Sequence, residues 1–191
     1  MTRAFALGAT LAGALLMWAP VDLPLPTLLV WNASASAPIG LYLVDPFASP
    51  RAGDRVIVDP PAPVADFLAA RQYLPRGVPL IKTVAAMAPA RVCRDGLVVS
   101  VSLTHAAVPE TLPGAVPDAV PDAAVTIEAQ ATDRRGRGLP TWSGCHSLTT
   151  DEVFLLNADV AQSLDGRYFG PTPKASIRGV VHPLFLPRVR P

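Results

Sequence analysis

Twenty-two prolines are spread along the 191-residue chain, and each removes a backbone donor and pushes its predecessor out of the helical region. That excludes a protein built of long helices and leaves an irregular, turn-rich domain of short strands. Half of the residues are hydrophobic and 16% are charged, which is apolar for a soluble chain of ordinary composition. Much of the excess lies at the N-terminus. The length suits one anchored domain with a real core, not two large ones. A formal charge of +1 gives no electrostatic footing for nucleic acid as a partner. The short clusters Arg134-Arg135-Gly136-Arg137 and 188–190 read as a solvated loop and a tail.

Residues 4–21 carry no charge. As a helix they would extend roughly 27 Å, close to the hydrocarbon thickness of a bilayer. Arg3 precedes the run; Asp22, Pro24 and Pro26 follow it. The positive-inside rule then keeps the N-terminus cytoplasmic and exports the rest, with Trp18 and Trp31 as interfacial anchors. Two readings stand: an uncleaved anchor and a cleaved leader. The length of the run favours the anchor, as does Pro20 directly behind the nearest small-residue cleavage candidate. Both readings export the body of the protein. The expected organisation is a cytoplasmic tip, membrane anchor and Pro-rich linker over 1–27, then a periplasmic domain over 28–191 with a variable insertion near 103–140. The expected place is a bacterial inner membrane, crossed once.

Export bears on Cys93 and Cys145, the only two cysteines. An oxidising compartment favours pairing them, and a bridge closing about fifty residues would restrict the unfolded chain by roughly 4 kcal/mol. The alternative is two unpaired buried thiols. With no CxxC and no further ligand nearby, a metal site is not expected.

In the exported part, residues 28–31 and 41–44 read as strands around an irregular turn at 32–40. Residues 51–54 form a turn ahead of a strand at Arg55–Val58. The apolar spacing of Phe67, Leu68, Ala70, Tyr73 and Leu74 predicts a helix over 64–74. Leu80–Met87 is an apolar run carrying one lysine, and 91–101 reads as a hairpin turning at Asp95-Gly96. Residues 105–140, with a near-duplicated Val-Pro-Asp-Ala, read as an exposed insertion or flap. Glu152–Leu156 is a further strand, 163–170 a polar loop, and Ile177–Phe185 a closing strand. The expected fold is mainly β: one twisted, antiparallel domain behind one membrane helix.

No Gly-rich phosphate loop, HExxH or GxSxG is present. His105, His146 and His182 lack metal-like spacing and read as surface or capping residues. Only Lys82 and Lys174 are lysines, against fourteen arginines, and arginine cannot act as a base at ordinary pH. Lys82 lies in Pro79-Leu80-Ile81-Lys82-Thr83-Val84-Ala85-Ala86-Met87. Burial there would disfavour the ammonium form, as a lysine base requires; the other reading is a lysine on the wet face of a half-buried strand. Ser36 sits in Asn32-Ala33-Ser34-Ala35-Ser36-Ala37-Pro38-Ile39-Gly40, where small neighbours admit a substrate backbone and Pro38 and Gly40 sharpen an exposed turn. By itself this is a serine-rich loop.

The ordered set of motifs says more than any member. Ser36-x-Pro38-x-Gly40 comes first, then Gly53-Asp54 ahead of a strand, then Lys82 in an apolar strand. Last comes Ser163-Leu164-Asp165-Gly166-Arg167-Tyr168-Phe169-Gly170. This order resembles the S26 signal-peptidase family, and within it the TraF-type conjugative transfer peptidases, over residues 28–185. The resemblance implies Ser36 as nucleophile and Lys82 as its general base. It implies Ser36 N–H and the Ser34 hydroxyl as oxyanion donors, Ser163 as the residue orienting Lys82, and Asp165 with Arg167 as a supporting charged pair. No cofactor is implied. One departure stands out: Ala88-Pro89-Ala90-Arg91 follows the lysine strand where leader peptidases turn through Gly-Asp.

The implied function is a membrane-anchored serine endopeptidase acting on an exported precursor, a conjugative pilin precursor above all, with cyclisation as one way of resolving the acyl-enzyme. Its implied partners are that precursor, the lipid bilayer and components of a conjugation or secretion apparatus. Two other readings are kept: a general or other dedicated type I signal peptidase, and a non-catalytic membrane-anchored component of a secretion or pilus assembly.

Overall fold

Short strands bounded by turn residues pair here without a single parallel contact among the described residues. The computed structural model describes residues 26–102 and 125–187, with Gly8, Thr10, Gly13 and Ala14 helical ahead of them. Apart from those four residues, the expected anchor over 4–21 falls outside the described residues, as does the first part of the insertion, 103–124. Among the described residues no helix is long and apolar enough to cross a membrane.

The strands are β1 (Leu29–Asn32), β2 (Gly40–Asp45), β3 (Arg55–Val58), β4 (Leu80–Met87), β5 (Arg91–Asp95), β6 (Val98–Ser102), β7 (Val125–Glu128), β8 (Gly144–Ser147), β9 (Glu152–Leu156), β10 (Thr172–Pro173) and β11 (Ile177–Phe185). One sheet has the order β1-β2-β11-β3-β4-β9-β10, and a second has β7-β6-β5-β8. The fold is mainly β, with α1 (Ala62–Ala70), the one-turn α2 (Gly166–Phe169) and a 3-10 turn at Lys174–Ser176 set among the strands. The larger sheet buries both faces at its centre. Along β3, Ile57 joins Tyr42, Val44, Ile81 and Val181 on one side. Val56 and Val58 join Val84, Val153 and Leu155 on the other. A third cluster packs Val92, Val99 and Val101 of the second sheet against Ala86, Phe154 and Leu156, which joins the two sheets.

Where the fold departs from the sequence reading, local chemistry gives the reason. The helix expected over 64–74 runs over Ala62–Ala70 behind Pro61, with proline tolerated in its first turn. It ends at Gln72, whose φ is 58°, and the Tyr73 N–H folds back onto Leu68 O at 2.9 Å. The apolar spacing thus runs on past the helix. The polar loop expected at 163–170 contains α2, because the Asp165 carboxylate accepts from Arg167 N–H and caps a single turn. β7, β8 and β10 had no pattern to betray them: β8 is exposed at all four residues, and β10 is two residues long with a proline. After the lysine strand, Ala90 N–H closes a tight turn on Met87 O at 2.9 Å.

Cys93 and Cys145 are joined by a disulfide, with Cα atoms 4.0 Å apart, because the β5·β8 register sets them directly opposite each other. Since β8 buries nothing, it is held by backbone pairing, this bridge and the partly exposed contact of His146 with Glu152 at 2.8 Å. Replacing both cysteines by alanine is expected to lower the unfolding free energy by about 2–4 kcal/mol. Amide exchange should rise first at Gly144–Ser147 while β3, β4 and β9 stay protected. Unchanged exchange at β8 would show that the pairing needs no bridge.

Candidate active site

The loop between β1 and β2 carries Ser34 and Ser36, and a residue overlooked in the sequence holds its shape. Asn32 is buried, and its amide nitrogen lies 2.9 Å from Ser34 O, 3.0 Å from Ala37 O and 3.0 Å from Pro38 O. Its Oδ1 accepts from Ser34 N–H at 3.1 Å. Tyr42, fully buried in β2, donates its hydroxyl to Pro38 O at 2.6 Å. Gly40 ends the loop with φ of 154°, and a Cβ there would stand 2.3 Å from Phe185 O. The glycine of the Ser-x-Pro-x-Gly pattern is therefore a steric requirement of this turn. Ala37 is buried in the core below it, so Ser36 stands half-buried on a loop fixed from beneath.

Within that loop the two serines hold each other. Ser34 Oγ and Ser36 Oγ are 2.9 Å apart, and Ser36 N–H donates to Ser34 Oγ at 3.2 Å.

Lys82 lies in β4, paired with Val56 of β3 in the middle of the larger sheet. It is 2% exposed, so the wet-face reading of this strand does not hold. Its Nζ donates to Ser163 Oγ at 2.8 Å. Burial lowers the Lys82 pKa to about 8; the neighbouring Asp165 charge pulls the other way and Arg167 assists the lowering. Ser163 is itself 1% exposed. A neutral amine and a buried hydroxyl are compatible there, because each satisfies the other.

The segment that brings Ser163 to the lysine is shaped by Asp165 and Arg167, both buried. Two N–H groups of the guanidinium meet the carboxylate, Nε to Oδ1 at 2.9 Å and Nη2 to Oδ2 at 2.9 Å. Nη2 also lies 2.8 Å from the carbonyl of Val160 and 3.2 Å from that of Ser163, and Nη1 donates to Ala161 O at 3.3 Å. Asp165 also accepts the Asn157 N–H at 3.0 Å, while the Asn157 side chain donates to Ile81 O at 3.1 Å, next to the lysine. Buried Arg94 of β5 donates to Arg167 O and lies 6.0 Å from the Tyr168 ring, which ties the second sheet to α2. Asn32, Asn157 and Arg94 carried no motif in the sequence; their burial is what identifies them.

Ser34, Ser36 and Lys82 line one cleft of about 560 Å³. A second cleft, of about 630 Å³, opens on the other side of Ser36 between Gly53, Arg55, Thr83 and Val160. Ser36 thus stands at the meeting of two grooves. The structure brings Lys82, Ser163, Asp165 and Arg167 into direct contact through hydrogen bonds or charge. Among the described residues no hydrogen bond joins Ser36 to Lys82; the Ser36 hydroxyl is turned to Ser34.

A half-buried serine and a buried lysine of lowered pKa thus line one cleft, and comparison with known proteins shows the family of the chain. The family model described as "Signal peptidase, peptidase S26" matches residues 2–185. The conjugal transfer protein TraF of Agrobacterium fabrum is 32% identical over 164 residues, covering 81% of this chain and 80% of its own. TraF of Agrobacterium tumefaciens strain 15955 is 31% identical over 163 residues, with the same coverage of 81% and 80%. A solved signal peptidase I of Enterococcus faecalis aligns with 70% of this chain and 97% of its own at 17% identity, with a TM-score of 0.32, and is too distant to bear on the fold. The family match spans nearly the whole chain, the Ser34–Ser36 loop and the Lys82 strand included, so this protein belongs to the signal peptidase family, peptidase S26, and is an enzyme of the serine-peptidase type.

Proposed function

We propose that the protein is a membrane-anchored endopeptidase in which Ser36 attacks the scissile carbonyl and Lys82 is the general base. The observation that carries this reading is the burial of Lys82 with its pKa lowered to about 8, in the cleft that Ser36 also lines. At that pKa a useful fraction of the amine is neutral near pH 7 to 8, whereas an exposed lysine would be almost wholly protonated.

For reaction, the Ser36 hydroxyl rotates from Ser34 toward Lys82 Nζ, and the lysine takes its proton as the Oγ–C bond forms. Ser36 N–H and the Ser34 hydroxyl are then released from each other to donate to the oxyanion, and one such donor is typically worth about 3–4 kcal/mol. Lys82 returns the proton to the leaving amine, and the acyl-enzyme is resolved by water or by an amine of the substrate. Ser163 keeps the lysine aimed through its 2.8 Å hydrogen bond, and Asp165 with Arg167 hold the Ser163 segment. Resolution by a substrate amine would yield a cyclic product.

The two TraF relatives carry conjugal transfer in their names, which supports an exported precursor of a conjugation system, a pilin precursor first among them, as the substrate. The apolar run at 4–21 supports anchoring in the inner membrane with the catalytic domain on the periplasmic side.

Ser36→Ala is expected to abolish processing of a pilin precursor. Lys82→Ala should slow it by about 10²- to 10⁴-fold. Circular dichroism should show both variants folded. Full processing by Lys82→Ala would remove the lysine from the chemistry, and equal processing of an ordinary secretory precursor would favour a general signal peptidase.

The pH profile follows from the same group. Protonated Lys82 cannot accept a proton, so kcat/KM should climb about tenfold per pH unit below about 8 and level off above it. A flat profile between pH 6 and 9, roughly the window around that pKa, would overturn the lysine base.

A further inference from the structure

The cluster Arg134-Arg135-Gly136-Arg137 looks like an ordinary solvated loop in the sequence, yet it forms a wall of the active-site cleft. A cavity of about 400 Å³ opens beside Ser34 and Ser36, and Arg71, Arg134, Arg135 and Arg137 line it with Asp133 as its one carboxylate. That carboxylate is already committed. It pairs with Arg137 at 2.7 Å and accepts the Tyr73 hydroxyl. The Tyr73 hydrogen bond, with help from Arg137, holds Asp133 well below the usual carboxylate range, so the pair stays charged under ordinary conditions.

The walls are tied to each other. Arg137 lies 5.0 Å from the Tyr73 ring centroid and donates to Arg71 O at 3.2 Å, fixing the 133–137 loop to the turn that follows α1. Three cations are left without a carboxylate partner among the described residues. Arg71 sits over the Phe67 ring at 5.5 Å, Arg134 donates to the neutral amide of Gln162, and Arg135 is exposed.

This cavity shares Ser34, Ser36, Tyr73, Gln162 and Leu164 with the cleft that holds Lys82. A polypeptide lying across Ser36 therefore runs directly into it. Concave surfaces of one sign focus potential, and guanidinium forks match carboxylates in geometry. We infer that this basic cavity seats an acidic segment of the substrate polypeptide within a few residues of the scissile bond. The inference rests on the peptidase reading above. An acidic peptide is favoured over a lipid headgroup because the cavity wall includes both serines of the nucleophile loop. Its occupant is thereby continuous with the reacting chain.

The test uses the full-length Ser36→Ala protein in detergent and fluorescein-labelled peptides carrying one apolar hexamer. The hexamer is flanked on either side, in separate peptides, by four Glu or by four Gln. Anisotropy should give tighter binding of one Glu peptide by about tenfold at low salt, shrinking as salt screens it. Adding Arg134→Gln and Arg135→Gln should cut the preference to within about twofold. Arg178→Gln, which removes an arginine paired with Asp59 at 2.6 Å outside the cavity, should keep it. Equal binding of Glu and Gln peptides would overturn the inference, as would a preference that survives the double substitution. So would a double substitution that weakens binding only to phosphatidylglycerol vesicles. Because binding is read without turnover, an intact preference in a protein whose wild type processes no precursor would sink the peptidase reading alone.

Discussion

The buried pair of Asp165 and Arg167 is the constraint on which the rest of the site depends. A guanidinium with 1% exposure is costly to bury, and it is tolerable only when its donors and the facing carboxylate are both satisfied. Here that condition is met by bending the chain around it. Arg167 gathers the carbonyls of Val160 and Ser163, Asp165 takes Asn157 N–H, and the segment between β9 and α2 has little freedom left. Removing one partner from such a pair typically costs about 3–5 kcal/mol. The pair earns its place less through stability than through position: it fixes where Ser163 Oγ stands relative to Lys82 Nζ.

Much of this was legible in the sequence because it rests on local signals. The β3, β4, β9 and β11 segments were each marked by apolar runs between turn residues, whereas the burial of Lys82 in β4 was not, since the composition of Leu80–Met87 allows a lysine on a wet face equally well. Ser36, Lys82, Ser163, Asp165 and Arg167 were marked by ordered motifs, which are one-dimensional. What escaped was non-local. Asn32 and Asn157 work through hydrogen bonds to carbonyls, and an asparagine in a loop looks the same whether or not it does so. β8 could not be seen because its partner strand and Cys93 hold it, not its own pattern. The arginines at 134, 135 and 137 were read as solvated, and Arg134 and Arg135 are indeed exposed. Their place beside Ser36 depends on the Tyr73–Asp133 contact across sixty residues of sequence.

The loop carrying Ser34 and Ser36 has a rigid base and a changeable tip. Asn32, Tyr42, Ala37 and Gly40 pin the backbone, so the carbonyl oxygens of the loop cannot move without breaking buried contacts. The hydroxyls of Ser34 and Ser36, by contrast, are satisfied mainly by each other. Such mutual satisfaction is cheap to exchange. Rotation about two side-chain bonds frees Ser36 N–H and both hydroxyls together, with no backbone rearrangement. On the proposed mechanism, a loop held this way can turn its donors to an oxyanion without leaving them unpaired beside solvent in the meantime.

Lys82 keeps a lowered pKa although Asp165 is close enough to raise it. Left alone, a carboxylate beside a buried amine would favour its charged form and return it toward an ordinary lysine. Asp165 does raise the Lys82 pKa, and Arg167 lowers it. Because the two charges are locked together at 2.9 Å, their fields at Lys82 largely oppose each other. Desolvation is then the largest influence left, and it favours the neutral amine. The ion pair therefore acts on the lysine twice, once by shaping the segment that carries Ser163 and once by offsetting the aspartate's pull on the lysine's proton. An isolated carboxylate in the place of that pair would orient the segment and disable the chemistry at the same time.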